Sequence, residues 1–486
     1  MVRDNLVVAR RWALDHPVLV VALVALVARA MVATVLNVSD TWSLAPDAGQ
    51  YLAVAEASAD GRIKVFWLGY GESLYRSTWA YTAQIAALFE IFGPFRSLGQ
   101  AVSVAYGALT AAATASLALR VVRRPFALGA GLIVALAPSQ VLWSSVALRE
   151  SLVWAVLAIV GLILLRVKPT SNQRSVLIVV AWLGLAYLAL VHLRNQTAFL
   201  MLWSAACALA ISPGNRLARV SLAVLFLIAV PWSVGRSIAD LEFLSRSAGR
   251  LGTVRTYMAM EAETAIVAPE LYLPDSSRNG TSVLDADGGV ATAVPSGTVV
   301  RKSAVEPLDG QPPSSTSTTL VVRAEGDQVD AVSTTTAHVG VLDRTIEESE
   351  AGQKFVIDLE GRAVSVHNDL SATLSAFPRG LVAVSIRPFP WEEWTSSRRF
   401  MASAESVFWL PLIIAAGAGI WCRRRELAVI AFPALLAVTV LVSGAVTHGN
   451  LGTAFRHRGQ ILWALAVLAS AGLQWWVDRR KIGEDQ

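Results

Sequence analysis

The chain has 486 residues, of which 54% are hydrophobic and only 16% are charged, and its formal net charge is +5. Soluble domains rarely have this balance, so repeated membrane-spanning segments are expected. The positive charge does not indicate nucleic-acid binding, because the arginines gather in short clusters between apolar runs, where they orient spans in the bilayer. The two cysteines, Cys207 and Cys422, fall within or beside apolar runs, which excludes a disulfide across outer loops.

Apolar runs predict about ten spans, since a helix of roughly 20 apolar residues crosses a bilayer. The first run follows three arginines and exceeds the roughly 7–15 residues of a signal-peptide core, so it is expected to be a retained span. In chain order the runs are Pro17–Leu36, Leu98–Leu119, Pro125–Val146, Leu152–Leu165, Val176–Val191, Gln196–Ile211, Val220–Gly235, Val407–Trp421, Leu427–Val446 and Ile461–Trp476.

The segment Ser77–Gly93 is short and carries polar residues, among them Gln84 and Glu90. If it does not cross, the basic clusters that begin at Arg120, Arg166, Gly214, Cys422 and Asp478 all fall inside with the N-terminus, as the positive-inside rule requires. We therefore predict an interfacial or re-entrant helix on the outer side. The outer segments are then Asn37–Gly93, a turn near Glu150, His192–Asn195, Arg236–Glu405 and Thr447–Gln460.

The predicted organisation has three parts. Residues 1–236 form an N-terminal membrane core with the first outer loop, residues 237–405 a large extracytoplasmic region, and residues 406–486 the C-terminal spans. The middle part mixes an amphipathic stretch at Asp240–Glu263 with alternating polarity at Lys354–His367. The expected fold class is an all-α polytopic membrane protein with an outer α+β insertion.

Candidate acidic residues lie in two of the outer turns. In the first loop, Pro46 and Asp47 begin a predicted helix that closes near Gly61, and a helix N-terminus keeps a carboxylate ionised. Tyr51 lies one turn later on the same face. A simple capping role is the ordinary alternative for Asp47, and Asp40 in the same loop is its rival as a base. In the turn APSQVLWSSVALRESL, the acidic residue is Glu150, next to Arg149.

These two turns resemble those of GT-C glycosyltransferases, in which an aspartate soon after the first span is the catalytic base. The resemblance implies that Asp47 is the base, that Tyr51 accompanies it and that Glu150 is the second acidic residue of the site. The segments HGNLGTAFRHRGQ and FPRGLVAVSIRPFPWEEW resemble parts of bacterial membrane proteins from polysaccharide-assembly systems. The expected location is the bacterial cytoplasmic membrane, with the N-terminus inside and the active site on the outer face.

Basic residues on the predicted outer side run against the usual charge bias, which favours a function over simple anchoring. Arg194 lies on the turn HLRNQT, and a cationic cluster near the last span comprises His448, Arg456, His457 and Arg458. With Arg149, these residues are expected to bind a lipid-linked phosphate. Arg29, inside the first span, is expected to pair with Glu90 or with substrate, because an unpaired charge in the membrane is costly.

The function predicted from these residues is inverting transfer of a sugar from a polyprenyl-phosphate donor to an extracytoplasmic glycan, lipid or protein. The departing phosphate needs charge neutralisation rather than protonation, which arginine supplies. Asp47 would take the acceptor proton and Glu150 would orient the site. No cofactor beyond the lipid-linked donor is implied. Asp47 and Glu150 could together hold a divalent metal, and the sequence leaves that undecided.

Three alternatives stay open at this point. A polysaccharide polymerase or ligase would take a pyrophosphate-linked donor and place its key basic residues within Arg236–Glu405. A lipid-linked-sugar flippase or transporter would carry charged residues through the depth of its bundle. A catalytically inactive scaffold would use the long loop to hold partners. The bilayer is the expected partner in every case.

Overall fold

The computed structural model of the chain describes residues 8, 11–39, 45–65, 70–165, 173–211, 220, 224, 281–284, 290–294, 322–324, 333–337, 344–348, 354–357, 363–366, 370–392, 397–447 and 451–484. The chain forms two compact units. One comprises Met1–Asp240, Val384–Ser443 and Ala454–Gln486, and the other comprises Leu241–Ala383 and Gly444–Thr453.

Helices form nearly all of the described first part of the chain. They are α1 (Pro17–Val38), α2 (Pro46–Ala59), α3 (Tyr70–Phe92), α4 (Arg96–Ala118), α5 (Arg124–Leu136), α6 (Pro138–Trp143), α7 (Glu150–Leu164), α8 (Gln173–Val191) and α9 (Asn195–Ile211). The later helices are α10 (Leu370–Ile386), α11 (Ser397–Cys422), α12 (Leu427–Thr447) and α13 (Leu451–Glu484).

Short strands lie between α9 and α10. They are β1 (Thr281–Leu284), β2 (Val290–Val294), β3 (Val322–Ala324), β4 (Ser333–Ala337), β5 (Arg344–Glu348), β6 (Lys354–Ile357) and β7 (Ala363–Val366). They pair antiparallel in two sheets with strand orders β2-β1-β3 and β4-β5-β6-β7. That this part of the chain forms an outer α+β insertion stays a prediction.

Several helices are long and apolar enough to cross a membrane, as expected for a helical membrane protein. Among the described residues there are five: Pro17–Val38, Arg96–Ala118, Phe400–Cys422, Val429–Val446 and Ala454–Lys481. Helices α5, α7 and α9 are apolar but shorter. The predicted run Val220–Gly235 lies outside the described residues except at positions 220 and 224. The count of about ten spans therefore stays a prediction.

The predicted span over Pro125–Val146 is not one continuous helix. Helix α5 ends at Leu136, Ala137 is extended with φ −56° and ψ 125°, and α6 restarts at Pro138. Proline lacks an N–H and disfavours helical backbone in the residue before it, so the helix breaks here. Helix α3 also departs from its expected bounds, because it begins at Tyr70 rather than Ser77.

The helix break explains the buried arginine of α1. Arg29 is fully buried and donates from Nη1 to the carbonyl of Ala135 at 2.9 Å and from Nη2 to the carbonyl of Val134 at 3.1 Å. Its Nε donates to Ser144 Oγ at 2.7 Å. These carbonyls belong to the last turn of α5, and they have no helical N–H partner because the helix is interrupted before Pro138. Arg29 therefore donates hydrogen bonds to the free carbonyls at the C-terminal end of α5. It does not pair with Glu90, which is exposed.

The core around this break is close-packed. Helix α4 packs against α1, α5 and α7, and α2 packs against α3. Gly107 of α4 faces Arg29, and a Cβ added there would lie 2.6 Å from Ser144 Oγ. A glycine at this position therefore makes room for the guanidinium.

Candidate functional site

The first carboxylate of the site stands at the start of α2. Asp47 lies in the first turn, where the helix dipole favours a negative charge. Its side chain is 43% exposed, and its Oδ2 accepts a hydrogen bond of 2.7 Å from Nη1 of Arg456, a residue more than four hundred positions later in α13. The helix itself begins at Pro46, as the sequence predicts.

The second carboxylate stands at the start of α7. The side chain of Glu150 is only 4% exposed, and its Oε1 accepts a hydrogen bond of 2.7 Å from Nη2 of Arg194. Oε1 also lies 3.9 Å from Nη1 of Arg456, so that one guanidinium bridges the two carboxylates. Arg194 belongs to the turn between α8 and α9, which places a third helix end at the site.

The segment before Glu150 is unwound and is held by side chains of α4. Gln100 Nε2 donates to the carbonyl of Ser145 at 3.0 Å. Ser103 Oγ donates to the carbonyl of Leu148 and accepts from its N–H, both at 3.2 Å. Backbone groups away from a helix must find partners when they are buried, and these two side chains supply them. They thereby fix the position from which Arg149 and Glu150 extend.

An aromatic wall flanks the cluster. The guanidinium carbon of Arg149 lies 5.7 Å from the ring centre of Tyr51, whose ring meets that of Tyr81 edge-on at 6.2 Å. Burial raises the pKa of Tyr51 to about 12, which keeps its phenol neutral at physiological pH. On the other side, the Arg456 guanidinium lies 5.3 Å from the Trp143 ring centre. The rings orient the guanidiniums while leaving their edges available.

Five side chains thus meet at one end of the helices, and we call them the acid–arginine cluster: Asp47, Arg149, Glu150, Arg194 and Arg456. Burial lowers the pKa of Arg194 to about 10, so its guanidinium is still protonated at neutral pH. Three guanidiniums and two carboxylates leave one uncompensated positive charge. The Nε atoms of all three arginines and Oε2 of Glu150 are buried, and in the described part of the chain they have no hydrogen-bond partner.

The structure brings together most of the residues predicted from the sequence but separates Arg458 from them. Successive residues of a helix are rotated by about 100°, so Arg456 and Arg458 point to opposite sides of α13. Arg458 Nη1 donates to the carbonyl of Ser385 at 3.1 Å, away from both carboxylates of the cluster. The expectation that Arg456 and Arg458 form one phosphate site is therefore wrong. His457 between them is half-buried.

Two predicted residues cannot be placed. His448 and Asp40 both lie outside the described residues. Among the side chains that are described, no group of three or more His, Cys, Asp or Glu could hold a metal ion. Asp47 and Glu150 instead share the guanidinium of Arg456. An arrangement richer in guanidinium than in carboxylate suits an anion better than a cation.

Sequence reasoning missed Trp143 and the two side chains that hold the unwound segment. Gln100 and Ser103 carry a recognisable signal, because they are polar residues in an otherwise apolar span and such residues face a protein partner. Trp143 carries no comparable signal, since tryptophan is common at the ends of membrane helices.

Comparisons of the chain with protein-family models, with curated proteins and with solved structures found no match. The fold and the apolar helices define a helical membrane protein. The resemblance of the two acidic turns to GT-C glycosyltransferases stays an expectation from the sequence.

Proposed function

We propose that the chain is an inverting glycosyltransferase that moves a sugar from a polyprenyl-phosphate donor to a glycan, lipid or protein acceptor outside the cytoplasm. The observation that carries this proposal is the acid–arginine cluster. It combines a half-exposed carboxylate, Asp47, with guanidiniums whose charge the carboxylates do not fully compensate. A base beside an anion site is what this reaction requires.

The charge of the cluster matches a sugar-phosphate diester. Such a donor carries a single negative charge, which would compensate the one excess positive charge of the three arginines. A pyrophosphate-linked donor carries more negative charge than the cluster can balance. The charge balance of the cluster therefore favours a monophosphate-linked donor over the pyrophosphate-linked donor of the polymerase or ligase alternative.

Arg456 connects donor binding to the base. Its side chain is 28% exposed, and it is the only described guanidinium in the cluster with a hydrogen bond to Asp47. A donor phosphate that binds Arg456 competes with Asp47 for the same donor atom. Once the phosphate has drawn the guanidinium away, Asp47 Oδ2 no longer accepts that hydrogen bond and is free to accept the proton of the acceptor hydroxyl.

The transfer step follows from these positions. The acceptor hydroxyl oxygen attacks the anomeric carbon from the side opposite the phosphate, and its proton passes to Asp47. The bond from the anomeric carbon to the phosphate oxygen breaks, and its electron pair leaves with the phosphate, whose added charge is stabilised by Arg149, Arg194 and Arg456. Glu150 is too deeply buried to reach an acceptor, and it holds Arg194 and Arg456 in place.

The membrane arrangement belongs to the same proposal. The chain would cross the bacterial cytoplasmic membrane about ten times, with the N-terminus inside and residues 237–405 as an outer α+β insertion. Asp47, Glu150 and Arg194 all lie at or just before helix starts, which supports a site at one rim of the bundle. The buried Arg29 is satisfied by backbone carbonyls and so offers little support for a transport path.

The test is transfer of radiolabelled sugar by the purified protein in detergent, from a panel of polyprenyl-phosphate sugars and from pyrophosphate-linked donors. Asp47→Asn should lower the rate roughly a hundredfold or more, because it removes the base. Asp60→Asn is the matched control, since Asp60 ends the same helix, pairs with Arg62 and is 47% exposed. It should leave the rate unchanged.

The outcomes separate the functions. Transfer from a monophosphate donor by the wild type and by Asp60→Asn, lost in Asp47→Asn, supports the proposal. Transfer only from a pyrophosphate donor supports the polymerase or ligase alternative. An Asp47→Asn protein with full activity would contradict the role of Asp47, and absence of transfer from every donor would favour a transporter.

A further inference from the structure

Arg458 is an arginine with an unusual environment for a membrane helix. It is 1% exposed, and its guanidinium carbon lies 5.0 Å from the ring centres of both Trp409 and Phe455. Among the described residues, Nη1 alone has a hydrogen-bond partner, the carbonyl of Ser385 at 3.1 Å. A buried guanidinium with most of its donors unsatisfied is costly, so the donors that have no partner point to a missing ligand.

The unsatisfied donors are the two that bind an oxyanion together. In the part of the chain that the structure describes, Nε and Nη2 of Arg458 are buried and have no hydrogen-bond partner. These two N–H groups lie side by side on one edge of the guanidinium, the edge that forms paired hydrogen bonds with a carboxylate or a phosphate. The rings of Trp409 and Phe455 lie over the guanidinium and leave that edge uncommitted.

Glu405, the acidic residue whose charge acts on Arg458, does not fill this role. Glu405 is buried, but its oxygens accept hydrogen bonds from the Ser139 N–H at 2.6 Å, from Ser139 Oγ at 2.7 Å and from Trp409 Nε1 at 3.1 Å. It forms no ion pair with Arg458 within 4.0 Å among the described contacts. Glu405 therefore acts on the charge of Arg458 only from a distance. The Nε and Nη2 atoms of Arg458 still lack an acceptor among the described residues.

We propose that Arg458, with Trp409 and Phe455, forms a second phosphate-binding site on the side of α13 opposite the acid–arginine cluster. Its ligand is a phosphate group, bound through Nε and Nη2 in a dry, aromatic setting. Neighbouring side chains must move apart to admit it, because neither atom contacts solvent. The aromatic rings favour a phosphate attached to a lipid chain over the free ion.

This inference rests on the geometry of Arg458 and not on sugar transfer, although it extends the proposed function. An enzyme that joins two lipid-linked molecules needs two phosphate sites, one for the donor and one for the acceptor. Arg456 and Arg458, on opposite sides of one helix, would then serve the donor and the acceptor respectively. The acceptor class that follows is a lipid-linked glycan or lipid with a phosphate group.

The experiment is native mass spectrometry of the full chain in detergent, titrated with polyprenyl phosphate. The variants are Arg458→Lys, which keeps the charge but loses the bidentate edge, and Arg456→Lys in the acid–arginine cluster. Arg424→Lys is the matched control, because Arg424 also stacks on a tryptophan, with its guanidinium carbon 4.4 Å from the Trp421 ring centre, but is exposed. Inorganic phosphate is added as a competitor in a parallel series.

The wild type and Arg424→Lys should bind two equivalents of lipid. Arg458→Lys should weaken one of them by about tenfold or more, and Arg456→Lys should weaken the other. If the acid–arginine cluster does not bind phosphate, a single Arg458-dependent equivalent is left, so failure of the proposed function is distinguishable. Displacement by inorganic phosphate identifies a site for the phosphate group itself, and its failure to displace identifies a lipid headgroup site.

The proposal is overturned if Arg458→Lys binds the same number of lipids, with the same affinity, as Arg424→Lys. Arg458 would then have only a structural role, through its contacts with Ser385 and Trp409 on neighbouring helices. If Arg458→Lys does not fold, the wild type is labelled with a photoreactive polyprenyl phosphate and the modified peptides are mapped. Label at Trp409 or Phe455 supports the site, and label confined to the peptides of Asp47 and Trp143 contradicts it.

Discussion

The charge balance of the acid–arginine cluster makes a prediction about stability that does not depend on knowing the substrate. Glu150→Gln removes a carboxylate that is 4% exposed and that contacts Arg194 at 2.7 Å and Arg456 at 3.9 Å. Three guanidiniums would then face one carboxylate. Removing one partner of a buried ion pair costs about 3–5 kcal/mol, because the other charge stays buried without compensation.

Arg194→Gln breaks the same ion pair from the other side and should cost much less. Two guanidiniums would then face two carboxylates, so the cluster becomes neutral instead of more positive. Removing a guanidinium whose pKa burial has lowered to about 10 also relieves part of its own desolvation. We expect a loss of about 1–2 kcal/mol, mainly from the hydrogen bond that Glu150 no longer accepts.

The measurement is the free energy of unfolding in mixed micelles, followed by tryptophan fluorescence as sodium dodecyl sulfate is added. Glu56→Gln is the control, since Glu56 lies on α2 with an exposed side chain and its loss should change stability by less than about 0.5 kcal/mol. The Glu150→Gln protein should be the least stable of the three. If Arg194→Gln were destabilised as much as Glu150→Gln, the inferred excess of positive charge would be wrong.

Three further changes test the parts that position the site. Ser103→Ala should lower transfer activity and speed hydrogen exchange at the Leu148 N–H, because that N–H loses its acceptor, whereas Ser103→Thr should restore both. Tyr51→Phe should leave the pH profile of transfer unchanged between about pH 6 and 9, since the pKa of Tyr51 is raised to about 12 by burial. Gly107→Ala should lower the free energy of unfolding by about 1–3 kcal/mol, because a Cβ would meet Ser144 Oγ at 2.6 Å.

The sequence predicted helices well where apolar length or a proline start marked them. Helix α2 begins at Pro46 as expected, and the run at Pro17 forms α1. The break before Pro138 was missed because the apolar run continues through it, and hydropathy does not register a lost backbone hydrogen bond. The partner of Arg29 was missed for the same reason, since the carbonyls it binds exist as acceptors only because of that break.

The sequence could indicate single residues of the site but not which of them contact one another. Asp47, Glu150 and Arg194 each drew attention as polar residues at helix ends, but nothing in a single sequence shows that Arg456 reaches Asp47 across most of the chain. Such pairing depends on how the helices pack. The separation of Arg458 from Arg456 was missed because the sequence places both in an outer segment before the last span, whereas the helix that carries them begins at Leu451 and turns residues two positions apart to different sides.

The two carboxylates of the cluster lie at helix starts, and that placement bears on how the arginines could be shared with a phosphate. Asp47 and Glu150 stand in the first turns of α2 and α7, where the positive end of each helix dipole stabilises a negative charge. A phosphate that draws Arg456 toward itself therefore does not leave Asp47 wholly without stabilisation. The Oδ2 atom of Asp47 is then free of its hydrogen bond with Arg456, so the carboxylate can take the acceptor proton while the donor is bound.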